Sequence, residues 1–187
     1  MTDQEILSAF HQEETKEWAF GRLLDKYQEK LYWHLRRMTQ NHEDADDLMQ
    51  NTFLKVWTGL HHFRADSQLY TWLYRIATNE AINLLNQKSK RATLSFDASA
   101  GQDDEGFSPS AYLGTTGHVT DGDEIQKKLE MAIAGLPDKQ RIVFQMRYFD
   151  EMSYEQISEV LGTSVGALKA SYHHAAVKIE QYIRKTD

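Results

Sequence analysis

Apolar residues recur every three or four positions along most of this chain, in runs separated by short polar breaks, and that spacing predicts helices. Helical patterning runs from about Thr15 to Arg91. There Phe20, Leu23, Leu24, Tyr27, Leu31 and Leu35 make one stripe. Ala45, Leu48, Met49, Phe53, Val56, Trp57 and Leu60 make a second, and Leu69, Trp72, Leu73, Ile76 and Ala77 begin a third. Asn41 stands where it can cap the second helix, with Glu43, Asp44, Asp46 and Asp47 in the first turns, where the helix dipole favours anions. Asp66 or Ser67 can cap the third. The periodicity stops at Ala92 and resumes at Ile125. Pro137 then opens a helix, where its missing N–H costs little, and Ile142, Val143, Met146 and Phe149 are its expected buried side.

Residues 153–178 predict a short helix, a three-residue turn and a second helix. Ser153 and Gln156 form a capping box. Tyr154, Ile157 and Leu161 share one face, Gly162 ends that helix, and Ser164 can cap the next. Val165, Leu168, Tyr172, Ala175 and Ile179 continue an apolar stripe, which turns Gly166, Ala167, Lys169, Ala170, Ser171, His173 and His174 outward. Small and hydrogen-bonding residues on such a face suit close approach to base edges and phosphates in a helix-turn-helix. An ordinary packed helical hairpin has the same pattern.

Few prolines and many Leu, Glu, Gln and Lys agree with an all-α chain. With no cysteine, neither a disulfide framework nor a cysteine zinc cage is available. No apolar run approaches a membrane span, and the start lacks a signal peptide, so a cytoplasmic protein with no direct membrane insertion is expected. The net charge of −7 looks wrong for a nucleic-acid binder. Its distribution removes most of the conflict, because residues 55–91 carry 6 basic against 2 acidic side chains. Residues 92–124 carry 7 acidic and no basic ones, and residues 125–187 are nearly balanced, 9 basic against 8 acidic. Three segments follow: a helical domain over 1–91, a flexible acidic linker over 92–124, and a helix-turn-helix domain over 125–187.

Three stretches carry a family resemblance. Residues 44–57, from Asp44-Ala-Asp-Asp-Leu to Lys-Val-Trp57, resemble the polymerase-binding helix of the extracytoplasmic-function (ECF) members of the sigma-70 family. Residues 63–83, with Thr-Trp-Leu at their centre and spaced asparagines, resemble the promoter-melting segment. Leu136-Pro137, the Ser153-Tyr-Glu-Gln-Ile run and Leu161-Gly-Thr-Ser-Val-Gly166 resemble the second domain.

The resemblance implies a subunit that binds core RNA polymerase and directs promoter-specific initiation. Asp44, Asp47, Gln50 and Asn51 would make polar contacts with the clamp helices of the largest subunit, and Phe53 or Trp57 an apolar anchor. Without the resemblance, the acidic cluster reads as a well-capped solvated helix start and the aromatics as core. A loop with Arg64, Asp66, Ser67 and Gln68 would hold a base extruded from the minus-ten element. Tyr70, Arg75, Asn79, Asn83, Lys88, Lys90 and Arg91 would extend a strip tracking the separated strand. Trp72 would be a core residue positioning it. Arg147, Tyr154 and Glu155 would flank the major groove of the minus-thirty-five element, with Lys169, Ala170, Ser171, His173 and His174 on the reading helix. Family members often carry Arg where Ser171 and His174 stand, so fewer fixed charges would face DNA here. The other implied partners are the flap of the second-largest subunit and an anti-sigma factor. The acidic linker would thread polymerase channels as a nucleic-acid mimic.

His61-His62 and His173-His174 are adjacent pairs, whereas helical metal pairs sit four residues apart, so neither a metal site nor a cofactor is expected. No nucleotide loop or nucleophile elbow is present, and no enzyme is expected. The alternative function is a helix-turn-helix regulator that works without forming a polymerase holoenzyme.

Overall fold

The computed structural model describes residues 1–96 and 121–186, with side chains over 1–90 and 124–185. All regular structure among these residues is helical: α1 (Asp3–Phe10), α2 (Lys16–Thr39), α3 (His42–Gly59), a 3₁₀ turn (Leu60–His62), α4 (Leu69–Phe96), α5 (Asp121–Ala134), α6 (Asp138–Tyr148), α7 (Tyr154–Leu161) and α8 (Val165–Thr186). The chain divides into two compact units, one centred on α1–α4 and the other on α5–α8.

In the first unit α2, α3 and α4 pack against one another and α1 lies on α2. The expected stripes are the core: Leu23, Leu31, Leu35, Val56, Leu73 and Ala77 are fully buried. Asn41 Oδ1 accepts from the Asp44 N–H at 3.0 Å, the expected cap of α3. Helix α4 starts at Leu69, with the Trp72 N–H bonded to the Gln68 carbonyl at 3.0 Å, so Asp66 and Ser67 stay in the loop and are not its cap. His34 is buried between α2 and α4, its Nε2 2.9 Å from Thr78 Oγ1 and its ring 4.8 Å from that of Tyr74.

Helix α1 lies before the region read as helical. Thr2 and Glu5 form a reciprocal capping box, with the Glu5 N–H donating to Thr2 Oγ1 at 3.2 Å and the Thr2 N–H donating to Glu5 Oε2 at 2.7 Å. Ile6 and Phe10, one turn apart, are both fully buried. Tyr27 Oη donates to Asp3 Oδ1 at 2.7 Å, and Lys26 Nζ reaches the same oxygen at 2.7 Å, so α1 is pinned to α2 at its first turn. Burial, the bond to Asp3 and its charge push the Tyr27 phenol well above its ordinary range.

In the second unit α5 and α6 pack on α8. Ile133, Leu136, Phe144, Ala175 and Ile179 share a core flanked by Tyr172. Pro137 occupies the cap position immediately before α6. Phe149 departs from expectation: it is the C-cap of α6, its N–H still bonded to the Gln145 carbonyl at 2.9 Å, yet its side chain is exposed and Phe144 lies in the core instead. Helices reach into both ends of the segment read as linker. Helix α4 continues to Phe96, and α5 begins at Asp121, where acidic residues favour a helix start. The acidic, flexible character expected of the remainder falls on 97–120, outside the described residues.

Candidate nucleic-acid interface

Helix α8, the expected reading helix, is held by the turn before it. Ser153 Oγ accepts from the Gln156 N–H at 3.1 Å while Gln156 Oε1 accepts from the Ser153 N–H at 2.8 Å, the expected box. Gly162 has φ +64, a left-handed conformation that side-chain-bearing residues adopt at a cost, and it ends α7. Ser164 Oγ then accepts from the Ala167 N–H at 3.4 Å, starting α8. Leu168, Ala175 and Ile179 face inward, which leaves Gly166, Ala167, Lys169, Ala170, His173 and His174 exposed and Ser171 half-buried. The His173 and His174 rings lie 5.9 Å apart.

Beside them, α6 and α7 contribute Arg147, Tyr154 and Glu155. Arg147 Nη1 donates to the Met152 carbonyl at 3.1 Å. Its guanidinium lies 5.4 Å from the Tyr154 ring centre, and Lys169 Nζ lies 5.8 Å from the same centre. A bond from its own backbone N–H and one from Ser153 hold the Glu155 carboxyl below its ordinary range, with Lys169 and Arg147 adding attraction. All eight residues expected to face duplex DNA are therefore gathered around one helix-turn-helix.

The first unit presents two faces. On α4, Arg75, Asn79 and Asn83 are exposed, and at about 100° per residue they fall within about 80° of one another, with Lys90 among them. Tyr70 is half-buried at the start of the helix, its ring 4.4 Å from that of Tyr74. Lys88 leaves the strip. It is turned to the far side of α4, where its ammonium is ion-paired with Asp44. Two residues expected in separate interfaces thus bind each other and tie α3 to α4. The Arg91 side chain lies outside the described residues.

Leading into α4, Arg64, Asp66 and Gln68 are exposed and Ser67 is half-buried. Ala65 has φ 58, left-handed in a residue that carries a Cβ, a strain of the kind found in binding loops. The Trp72 ring sits 5.1 Å from that of Phe63 and against Gly59, where an added Cβ would meet it at 3.2 Å. Trp72 is thus a packing residue that fixes the loop's first residue.

On α3, Asp47, Gln50 and Asn51 are exposed on one face, and Leu54 lies among them with 65% of its surface in solvent. Phe53 and Trp57 are half-buried against α1 and α2. Trp57 packs on Phe20 at 4.9 Å and Phe10 at 5.5 Å under the Lys16 ammonium, and Phe53 meets Phe20 edge-on at 6.3 Å. The apolar centre of the α3 face is Leu54, which sequence reasoning missed. Its signal was its position, one helical turn beyond Gln50 and seven residues beyond Asp47.

Among the described residues, no helix is long and apolar enough to cross a membrane, and no group of three or more His, Cys, Asp or Glu could hold a metal ion.

Comparison with known proteins gives two family matches: Sigma-70 region 2 over residues 23–91 and Sigma-70, region 4, over residues 126–179. The RNA polymerase sigma-H factor of Pseudomonas aeruginosa is 31% identical over 170 residues, covering 89% of this chain and 86% of that one. The ECF RNA polymerase sigma factor SigW of Bacillus subtilis is 30% identical over 170 residues, covering 89% of each. The ECF RNA polymerase sigma-E factor of Haemophilus influenzae is 30% identical over 187 residues, 98% of this chain and 96% of that one. Among solved structures, CnrH in complex with the cytosolic domain of CnrY shares the fold with a TM-score of 0.70 at 20% identity, covering 99% of each chain. The sigma factor RpoE of Bartonella quintana, in complex with the anti-sigma factor NepR, has a TM-score of 0.67 at 21% identity, covering 88% of this chain and 96% of that one. The two family matches fall on the two helical units in order, and with relatives at this identity over nearly the whole chain, the protein belongs to the ECF group of the sigma-70 family, the sigma factors that direct transcription initiation.

Proposed function

We propose that this chain docks on core RNA polymerase through the outer face of α3 and directs it to promoters read at two places. Asp47, Gln50 and Asn51 make the polar contacts with the clamp helices of the largest subunit, and Leu54 is the apolar anchor between them. The loop over 63–68 takes an extruded base of the minus-ten element, and Arg75, Asn79, Asn83 and Lys90 track the separated strand. Helix α8 reads the minus-thirty-five duplex in the major groove, and the second unit meets the flap of the second-largest subunit. The work is done in the cytoplasm. An anti-sigma partner fits the reading, since RpoE was solved with the anti-sigma factor NepR bound.

The observation that carries the polymerase part is Leu54: a large apolar side chain 65% exposed, amid side chains that can bond a partner. A regulator that works without polymerase gains nothing from that face. Purified core polymerase should transcribe a library of promoter fragments selectively when this protein is added, and Leu54→Asp should abolish the effect. Selective repression or activation that is unchanged by Leu54→Asp would overturn the proposal.

A further inference from the structure

Between Val165 and Val177 the reading helix carries one permanent cation, Lys169. What α8 can read by charge therefore depends on where that ammonium sits. A lysine is a point charge on a flexible stem, and left free on a helix surface it neutralises whichever phosphate is near. Here it is not left free. Its Nζ lies 5.8 Å from the centre of the Tyr154 ring, and the Arg147 guanidinium lies 5.4 Å from the same centre. One ring, on the first residue of α7, thus gathers a cation from α6 and a cation from α8. Arg147 is fixed a second time by its bond to the Met152 carbonyl at 3.1 Å. The ring is fixed by an edge contact with Tyr172 at 6.3 Å, and Tyr172 is stacked at 5.4 Å on the buried Phe144. The exposed Glu155 carboxylate, next in sequence, attracts both cations.

We infer that Tyr154 is a positioning residue for duplex reading, its ring holding the Lys169 ammonium in one place so that α8 offers a preorganised cation to one base-pair edge. This deepens the reading of α8 as the minus-thirty-five helix and rests on it. A lysine aimed at the O6 and N7 acceptors of a guanine discriminates among base pairs. The same lysine released from the ring keeps its charge and its phosphate affinity but loses the aim. The loss should therefore appear in sequence preference and leave the salt dependence unchanged.

The test uses the full chain assembled with core polymerase and a library of duplexes randomised across the minus-thirty-five element, sequenced after selection. The wild type should enrich one motif, and Tyr154→Phe, which keeps the ring, should enrich the same motif. Tyr154→Leu, which removes no charge, should lose about two- to fivefold of the preference at one base pair, the range for an exposed cation–π contact, with the salt slope unchanged. Lys169→Met, which leaves the ring and α7 intact, should lose preference at that same base pair. Full preference in Tyr154→Leu overturns the inference, as does a Phe variant that behaves like Leu, or a Lys169→Met loss at a different base pair. If the wild type enriches no motif, the minus-thirty-five reading itself falls, an outcome distinct from the other three.

Discussion

At the scale of single residues, charge gives two predictions. Glu5 accepts from the Thr2 N–H at 2.7 Å, and that bond, with one to the Thr2 hydroxyl, holds its carboxyl below the ordinary value of 4.5. A carboxyl lowered by folding contributes stability that is fully present above its unfolded pKa and lost as pH falls through the folded one. Protection of the Thr2 amide from exchange should therefore hold at pH 6 and fall away below about pH 4.5, and Glu5→Gln should flatten that dependence. A protection profile identical in both proteins would mean the capping box contributes nothing. The second concerns His174, which is exposed on α8. Where it meets a phosphate, His174→Arg sets a permanent charge at that contact and should tighten duplex binding with a steeper salt slope, one charge-assisted bond being worth about 1.5–3 kcal/mol. Unchanged affinity and salt slope in the arginine variant would assign His174 a base or packing contact.

At the scale of elements, α3 separates residues proposed to bind from residues that fold. Trp57 belongs to a cluster with Phe10, Phe20 and Lys16, and Trp57→Ala should cost about 3 kcal/mol in denaturant unfolding. Leu54→Ala removes a side chain already in solvent and should leave stability within about 0.5 kcal/mol while weakening core polymerase binding at least tenfold. Equal losses of stability and binding in both variants would mean α3 is only structural. The same helix shows what the sequence could and could not convey. Periodicity marked which residues of α2, α3, α4 and α8 turn inward, and the caps at Asn41 and Ser153 were legible because each needs only its own local partner. Partnerships between elements were not legible. The sequence places Lys88 in the strand-tracking strip, and its ion pair with Asp44 on another helix has no local signal. The packing of Trp57 on Phe10 is of the same kind, and α1 itself was not legible because its stripe is only Ile6 and Phe10 over one turn, although its Thr2–Glu5 box was readable.

At the scale of the whole molecule, function rests on two separately built units. One core is made by α1–α4 around residues such as Leu31 and Leu73, and the other by α5–α8 around Ile133, Phe144 and Ile179. Charge is partitioned too, with basic side chains in excess over 55–91 although the chain as a whole is at −7. Local fields of this kind let an acidic protein approach phosphates at chosen places while repelling them elsewhere. Two cores also predict two unfolding units. Phe144→Ala opens a cavity in the second core and should cost about 3–5 kcal/mol there, while Leu31→Ala should cost about 2–5 kcal/mol in the first. If each core folds on its own contacts, residue-resolved hydrogen exchange should show Phe144→Ala stripping protection from α6 and α8 with α2–α4 untouched, and Leu31→Ala the reverse. Loss of protection across both units from either substitution would show a single cooperative domain. In that case, changes in the second unit would be felt at the proposed polymerase-binding face of α3 through stability alone.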